Sequence, residues 1–187
     1  MRRLSLLLCF GVVVVLTVIV VPALAAGGGT TTCDGTLAPG TYQRVVVPQD
    51  GVCLSDGPVT IRAGLFVQQG GTVVFGSEEN AVHTATISGG VHATNAMNVQ
   101  IHFSTINGGY NEVGYDGFWN GFIRNNVHGS VNLIGNTVAD PDGNEVVTNT
   151  IHGSLNCQGN DPPPQVGDSE GSPNHVTGNE TGQCVGL

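Results

Sequence analysis

Four oxygen-bearing side chains crowd the stretch ADPDGNEV, where Asp140, Asp142, Asn144 and Glu145 flank an Asp-Gly turn. Hard oxygen donors of this kind are what calcium takes as ligands. The glycine falls two places early for an EF-hand loop and the next ligand of such a loop is missing. Calcium therefore enters as a structural stabiliser rather than as a catalyst, and Asp-Gly is itself a strong turn signal. No other cofactor is expected. Six histidines (His83, His92, His102, His128, His152 and His175) raise a metal reading. On adjacent strands, His128 would lie over His152 at a strand spacing of about 5 Å. Two nitrogens do not make a zinc site, which takes three or four ligands, and the neighbouring columns supply Asn107, Asn132 and Asn156. A solvent-facing polar ladder is the expectation. The third group is aromatic: YNEVGYDGFWNGF brings Tyr110, Tyr115, Phe118, Trp119 and Phe122 into thirteen residues. Some of these rings must fill the core. Others, flanked by Glu112, Asp116 and Asn120, would form a platform for sugar rings or a protein partner, because amphipathic aromatics dominate such surfaces. Tyr115, Asp116, Phe118 and Trp119 are the candidate ligand-binding residues.

What could position these groups follows from the rest of the chain. Arg2 and Arg3 precede an apolar run over residues 4–21, followed by Pro22 and the triplet Ala23-Leu24-Ala25. This is the pattern of a secretory signal cleaved near Ala25, and the proline and small residues argue against a membrane anchor. Residues 1–25 are thus read as a signal peptide, and the product as secreted, extracellular and free of the membrane. Cleavage would leave Arg44, Arg62 and Arg124 as the cations against fourteen acidic residues, a formal charge of −11. Binding a polyanion needs cations to displace counterions, so nucleic acid is excluded as a partner and acidic polysaccharide is disfavoured.

Cys33, Cys53, Cys157 and Cys184 remain after cleavage, an even set that in an oxidising compartment reads as two disulfides with three possible connectivities. Cys33 with Cys53 and Cys157 with Cys184 is the favoured pairing. Each closes a short loop near one end of the chain, whereas crossed pairs would need the two ends to meet.

The elements themselves are strands. Helical periodicity is absent from Val59 onward, and Val99, Ile101 and Phe103 alternate with Asn98, Gln100 and His102. One segment recurs five times, as TIRAGLFV, TISGGVHA, TINGGYNE, NVHGSVNL and TIHGSLNC, with Ile61, Ile87, Ile106, Val127 and Ile151 in second place at spacings of 26, 19, 21 and 24 residues. Each copy bends at glycine and returns an apolar residue four places on: Leu65, Val91, Tyr110, Val131 and Leu155. Stacked coils superpose these columns and bury a core that no single coil could bury. The gapless pair IRNNVHGSVNLIGN and VTNTIHGSLNCQGN also places Asn125 over Asn149 at a corner, and Cys157 over Leu133.

The expected fold is an all-β, right-handed parallel β-helix of about five to six coils. Residues 26–32 form a short flexible N-terminus, 33–58 an N-terminal cap, 59–157 the coils and 158–187 a C-terminal cap or tail. The stretches GSLNCQGN and VTGNETGQC resemble those of short secreted bacterial proteins of the right-handed parallel β-helix class, over roughly residues 33–187. Larger members of that class are pectate lyases and polygalacturonases, so the resemblance implies a fold more firmly than a reaction. A lyase-like site would need calcium-binding carboxylates beside a base, for which Arg124 near Asp116 is the candidate. Polygalacturonase-like chemistry would need grouped carboxylates, a Gly-His-Gly and an Arg-x-Lys; only the fragment Val127-His128-Gly129 is present, and the chain has no lysine. The functional expectation is a monomeric, non-catalytic extracellular or envelope interaction protein, its partner a glycan or an envelope protein. A carbohydrate-active enzyme is the alternative.

Overall fold

In the computed structural model, residues 29–167 and 171–187 are described. Residues 1–25, expected from the sequence to be a signal peptide, lie outside the described residues. Every strand is short and every pairing is parallel, and the chain visits three sheets in rotation. The first sheet has eight strands, the second six and the third seven. The molecule is a parallel β-solenoid of about seven turns. This exceeds the five to six coils expected, because the segments read as caps carry strands of their own, as does Thr30–Thr32 in the stretch read as a flexible N-terminus. Thr30–Thr32 pairs with Arg44–Val47 at one end, and Leu155–Gln158 with Glu180–Gly182 at the other.

The two columns of repeats stack in register. Ile61, Ile87, Ile106, Val127 and Ile151 are successive partners in the third sheet. Leu65, Val91, Tyr110, Val131 and Leu155 are partners in the first. All ten are fully buried, and burying each aliphatic side chain of this size stabilises the fold by roughly 1.5–3 kcal/mol. The second sheet completes the core with Phe75, Ile101, Phe122 and Val146 in line. Phe103 does not continue the alternation begun at Val99. The strand Asn98–His102 ends one residue earlier, and Phe103 turns the corner in a left-handed conformation (φ 48°), partly exposed beneath the Arg124 guanidinium.

Corners are held by side-chain amides that replace missing ladder bonds. Asn125 does lie over Asn149: the Asn125 amide N–H donates to Asn149 Oδ1 at 2.8 Å, and Asn149 Nδ2 donates to the Phe122 carbonyl at 2.7 Å. Asn174 repeats the pattern one coil on. A second amide column, Asn136 and Asn160, serves the opposite corner. At the third corner Gly108, Gly129 and Gly153 stack so closely that a Cβ on Gly129 would stand 2.5 Å from the Gly108 carbonyl oxygen.

Both disulfides have the pairing expected, Cys33–Cys53 and Cys157–Cys184, with Cα separations of 5.3 Å each. They fasten the outermost coils. Cys157 faces inward over Leu133, as the repeat alignment requires.

Candidate functional site

The outer face of the second sheet carries a groove formed where two hollows adjoin. Its strands Val52–Ser55, Thr72–Phe75 and Asn98–His102 turn alternate side chains outward. The register makes one outward column of Val52, Thr72 and Asn98, and a second of Leu54, Val74 and Gln100. The next position in the second column is Gly121, opposite Gln100. Having no side chain, Gly121 makes room for the Trp119 ring, which lies across it; a Cβ there would collide with the ring and approach His102 Cε1 to 2.9 Å. Trp119 also packs against the His102 imidazole at 5.9 Å between centroids. The indole therefore stands as an end wall across the two columns.

Side walls complete the groove. One is the turn bearing Met97 and residues 116–118, the other the excursion over residues 76–84. That excursion is tied down at both ends. Arg124 Nη1 donates to the Glu78 carbonyl at 3.0 Å, and Ser55 Oγ donates to the His83 carbonyl at 2.8 Å. Two hollows meet at Gln100 and Trp119: one of about 410 Å³ lined by Thr72, Met97, Asn98, Asp116 and Phe118, the other of about 450 Å³ lined by Ser77, Glu78, Glu79 and His102. The open end is apolar, with Val52 41 % and Leu54 43 % exposed. Polar groups gather at the closed end.

Of the four ligand candidates, the structure brings three to this groove. Phe118 is 71 % exposed, Asp116 is exposed, and Trp119 is half-buried. Tyr115 is a correction: it is buried in the core, and its hydroxyl donates to the Trp119 carbonyl at 2.7 Å. It positions the turn that presents Trp119 and is not available to a ligand. Glu112 and Asn120, expected to flank exposed rings, are likewise buried. Glu112 sits at an inward position between Ala93 and Leu133 and accepts hydrogen bonds from Tyr110 Oη (2.6 Å), Asn120 Nδ2 (2.7 Å) and Asn136 Nδ2 (2.9 Å). Burial raises its pKa to about 7 against the pull of those donors.

The calcium candidates do not converge. Asp140 and Asp142 stay on the turn, with the Asp142 N–H donating to Asp140 Oδ1 at 3.2 Å. Asn144 turns inward and donates to the Pro162 carbonyl at 2.8 Å, while Glu145, its neighbour on the strand, faces the other way. Among the described residues no group of three or more His, Cys, Asp or Glu side chains is placed to hold a metal ion. His128 and His152 do stack, at 4.9 Å between ring centroids, as an exposed pair.

Sequence reasoning missed His102, Asn98 and Gly121 as parts of the groove. His102 is buried although its position faces outward, because Trp119 and the 76–84 excursion cover it. A glycine two residues after the lone tryptophan was the signal present. Set beside protein-family models, curated proteins and solved structures, the chain matches none. Fold and site together define a disulfide-fastened parallel β-solenoid with an end-stopped surface groove.

Proposed function

We propose that the chain is an exported, non-catalytic interaction protein of the extracellular space or cell envelope that holds a glycan in the groove ending on Trp119. The observation that carries the reading is the combination, in one concavity, of an indole face with neutral amides from Asn98 and Gln100 along a straight, two-column floor. Sugar rings offer apolar C–H faces to such a ring and hydroxyls to such amides. Two disulfides suit an oxidising compartment. A binding role is favoured over a lyase-like or hydrolase-like one because Arg124, the only base the sequence offered, is engaged with the Glu78 carbonyl and Phe103 and lines neither hollow.

Trp119 is the only tryptophan, so its fluorescence reports on the groove alone. Retention of the protein on immobilised polysaccharides should fall at least tenfold in Trp119→Ala at an unchanged melting temperature. Equal retention of the variant would end this reading. Release of unsaturated or reducing sugar from a pectin-like polymer by the parent protein would replace it with the enzymatic one.

A further inference from the structure

The outer face of the third sheet carries a row of threonines that the core does not require. Thr41, Thr60, Thr86 and Thr105 are successive Cα partners, and after Asn126 the row resumes with Thr150 before ending on His175. The residue after each threonine belongs to the inward column of Ile61 and its partners, so the threonine side chains point outward. Thr41 and Thr86 are exposed, and Thr60, Thr105 and Thr150 are half-buried. None of the five hydroxyls is bonded to another group among the described residues, whereas those of Thr148, Thr177 and Thr181 are. Threonine is favoured in strands generally. The matching outward row of the first sheet nevertheless reads Val46, Phe66, His92, Asn111, Asn132 and Asn156, and strand propensity does not choose between the two faces. Two places on from the threonines, Ser88, Asn107, His128, His152 and Thr177 make a second outward row. Arg62 precedes Ser88 in it and is the one formally charged side chain of the two rows. Neither row holds an Asp or Glu, although the chain has fourteen.

Hydroxyl and methyl groups thus recur along this face at the coil spacing of about 4.8 Å, on a backbone fixed by its parallel ladders. That spacing is close to the repeat of water oxygens along the hexagonal axes of ice. A hydroxyl both donates and accepts, so each free one can hold a water. A row already fixed in place holds its waters at the repeat of a crystal with little further loss of freedom. We propose that this face adsorbs to ice, with the threonine row lying along a row of lattice waters. A crystalline polysaccharide would call for flat aromatic platforms, and the two rows contain no Phe, Tyr or Trp. A second copy of the chain would find no apolar centre here to bury. The role is separate from that of the groove, which lies on the second sheet.

The test measures the gap between the melting and freezing points of a seed ice crystal, and the coarsening of polycrystalline ice, in solutions of the purified protein. The parent should open a gap that widens with protein concentration and should slow the coarsening. Thr86→Tyr, which raises a ring from within the row, should abolish both effects without moving the melting temperature of the protein. Thr86→Lys should do the same, and it decides the matter where a ring disturbs the fold. Thr94→Tyr, an exposed position on the first sheet, and Trp119→Ala in the groove should leave both effects intact. A parent with neither effect would overturn the proposal. So would full activity in Thr86→Tyr and Thr86→Lys, or an equal loss in Thr94→Tyr. Retention of the parent but not of Thr86→Tyr on microcrystalline cellulose or chitin, with ice unaffected, would assign the face to a polysaccharide crystal instead. A dimer in sedimentation that Thr86→Tyr dissociates, again with ice unaffected, would assign it to a second copy.

Discussion

Protonation of Glu112 and of His102 moves the folding equilibrium in opposite directions. Glu112 has its pKa raised from 4.5 to about 7 by burial, so the folded chain holds that proton more tightly than the unfolded one. The stability it contributes is complete below pH 4.5 and is lost as the pH rises through 7. His102 is lowered from 6.5 to about 4, so the unfolded chain takes the proton first. Its contribution is complete above pH 6.5 and is lost as the pH falls towards 4. At roughly 1.4 kcal/mol per pH unit each effect amounts to about 3 kcal/mol, and between the two ordinary pKa values the slopes cancel. Denaturant titrations should therefore show His102→Gln, in which only the Glu112 effect remains, losing stability as the pH rises from 4.5 to 7. Glu112→Gln should lose it from pH 6.5 down to 4. Parallel profiles for the two variants would show that neither group titrates as placed. Glu112 was legible as an inward residue, since TINGGYNE aligns it with Ala93 and Leu133. A carboxylate at a core position runs against the usual pattern of burial, and that general rule obscured the specific alignment. Tyr115 was misread for the converse reason: a ring beside exposed neighbours gives no sign that its own hydroxyl turns inward to a backbone carbonyl.

Among the elements, the corners separate amides that hold the coils from amides that decorate them. Asn149 is buried and bridges three coils through Asn125, Phe122 and Asn174. Asn132 joins Asn111 and Asn156 on the outer face of the first sheet at 2.7 Å and 3.5 Å, within reach of water. Removing a side chain that satisfies buried backbone groups strands their polar atoms, at about 1–3 kcal/mol apiece, while exposed bonds exchange for water at far smaller cost. Asn149→Ala should lower the unfolding free energy by about 3 kcal/mol or more, and Asn132→Ala by about 0.5 kcal/mol; equal losses by denaturant titration would contradict this division of labour. The Asn125 over Asn149 column could be read from the gapless pair of repeats. The register of the second sheet could not, although alternation at Val99 and Ile101 marked one of its strands, because loops of unequal length precede its strands and their outward column is broken at Gly121, where a neighbouring ring takes the place of a side chain.

For the molecule as a whole, the ends are what the repeat does not protect. The cystines close separations of 20 and 27 residues, and loops of that size contribute about 3 kcal/mol each by restricting the unfolded chain. Replacing Cys157 and Cys184 together with Ser should lower the melting temperature by several degrees and expose amides of Leu155–Gln158 and Glu180–Gly182 to hydrogen exchange. The strand Thr105–Asn107, two coils before that of Leu155–Gln158, should keep its protection; uniform loss across all coils would show that the array opens as one unit. The solenoid class, its inward columns and its cystine pairing were legible because repetition writes them several times over. The number of coils was not, since the terminal turns pair their backbones without the Thr-Ile-x-Gly signature. The groove was not either, because it depends on a single excursion over residues 76–84 and a single indole, and nothing in the chain states either of them twice.

One step between coils beyond the groove keeps a single period in two sheets: Val127 meets Ile151 and Leu133 meets Cys157 at the same offset of 24 residues. A tract of that length is therefore a unit of construction. Copying it in tandem would extend the rod by about 4.8 Å and hand each amide column one further rung, while Trp119 and its surroundings stayed where they are. The length of the rod and the shape of the groove can thus be altered independently.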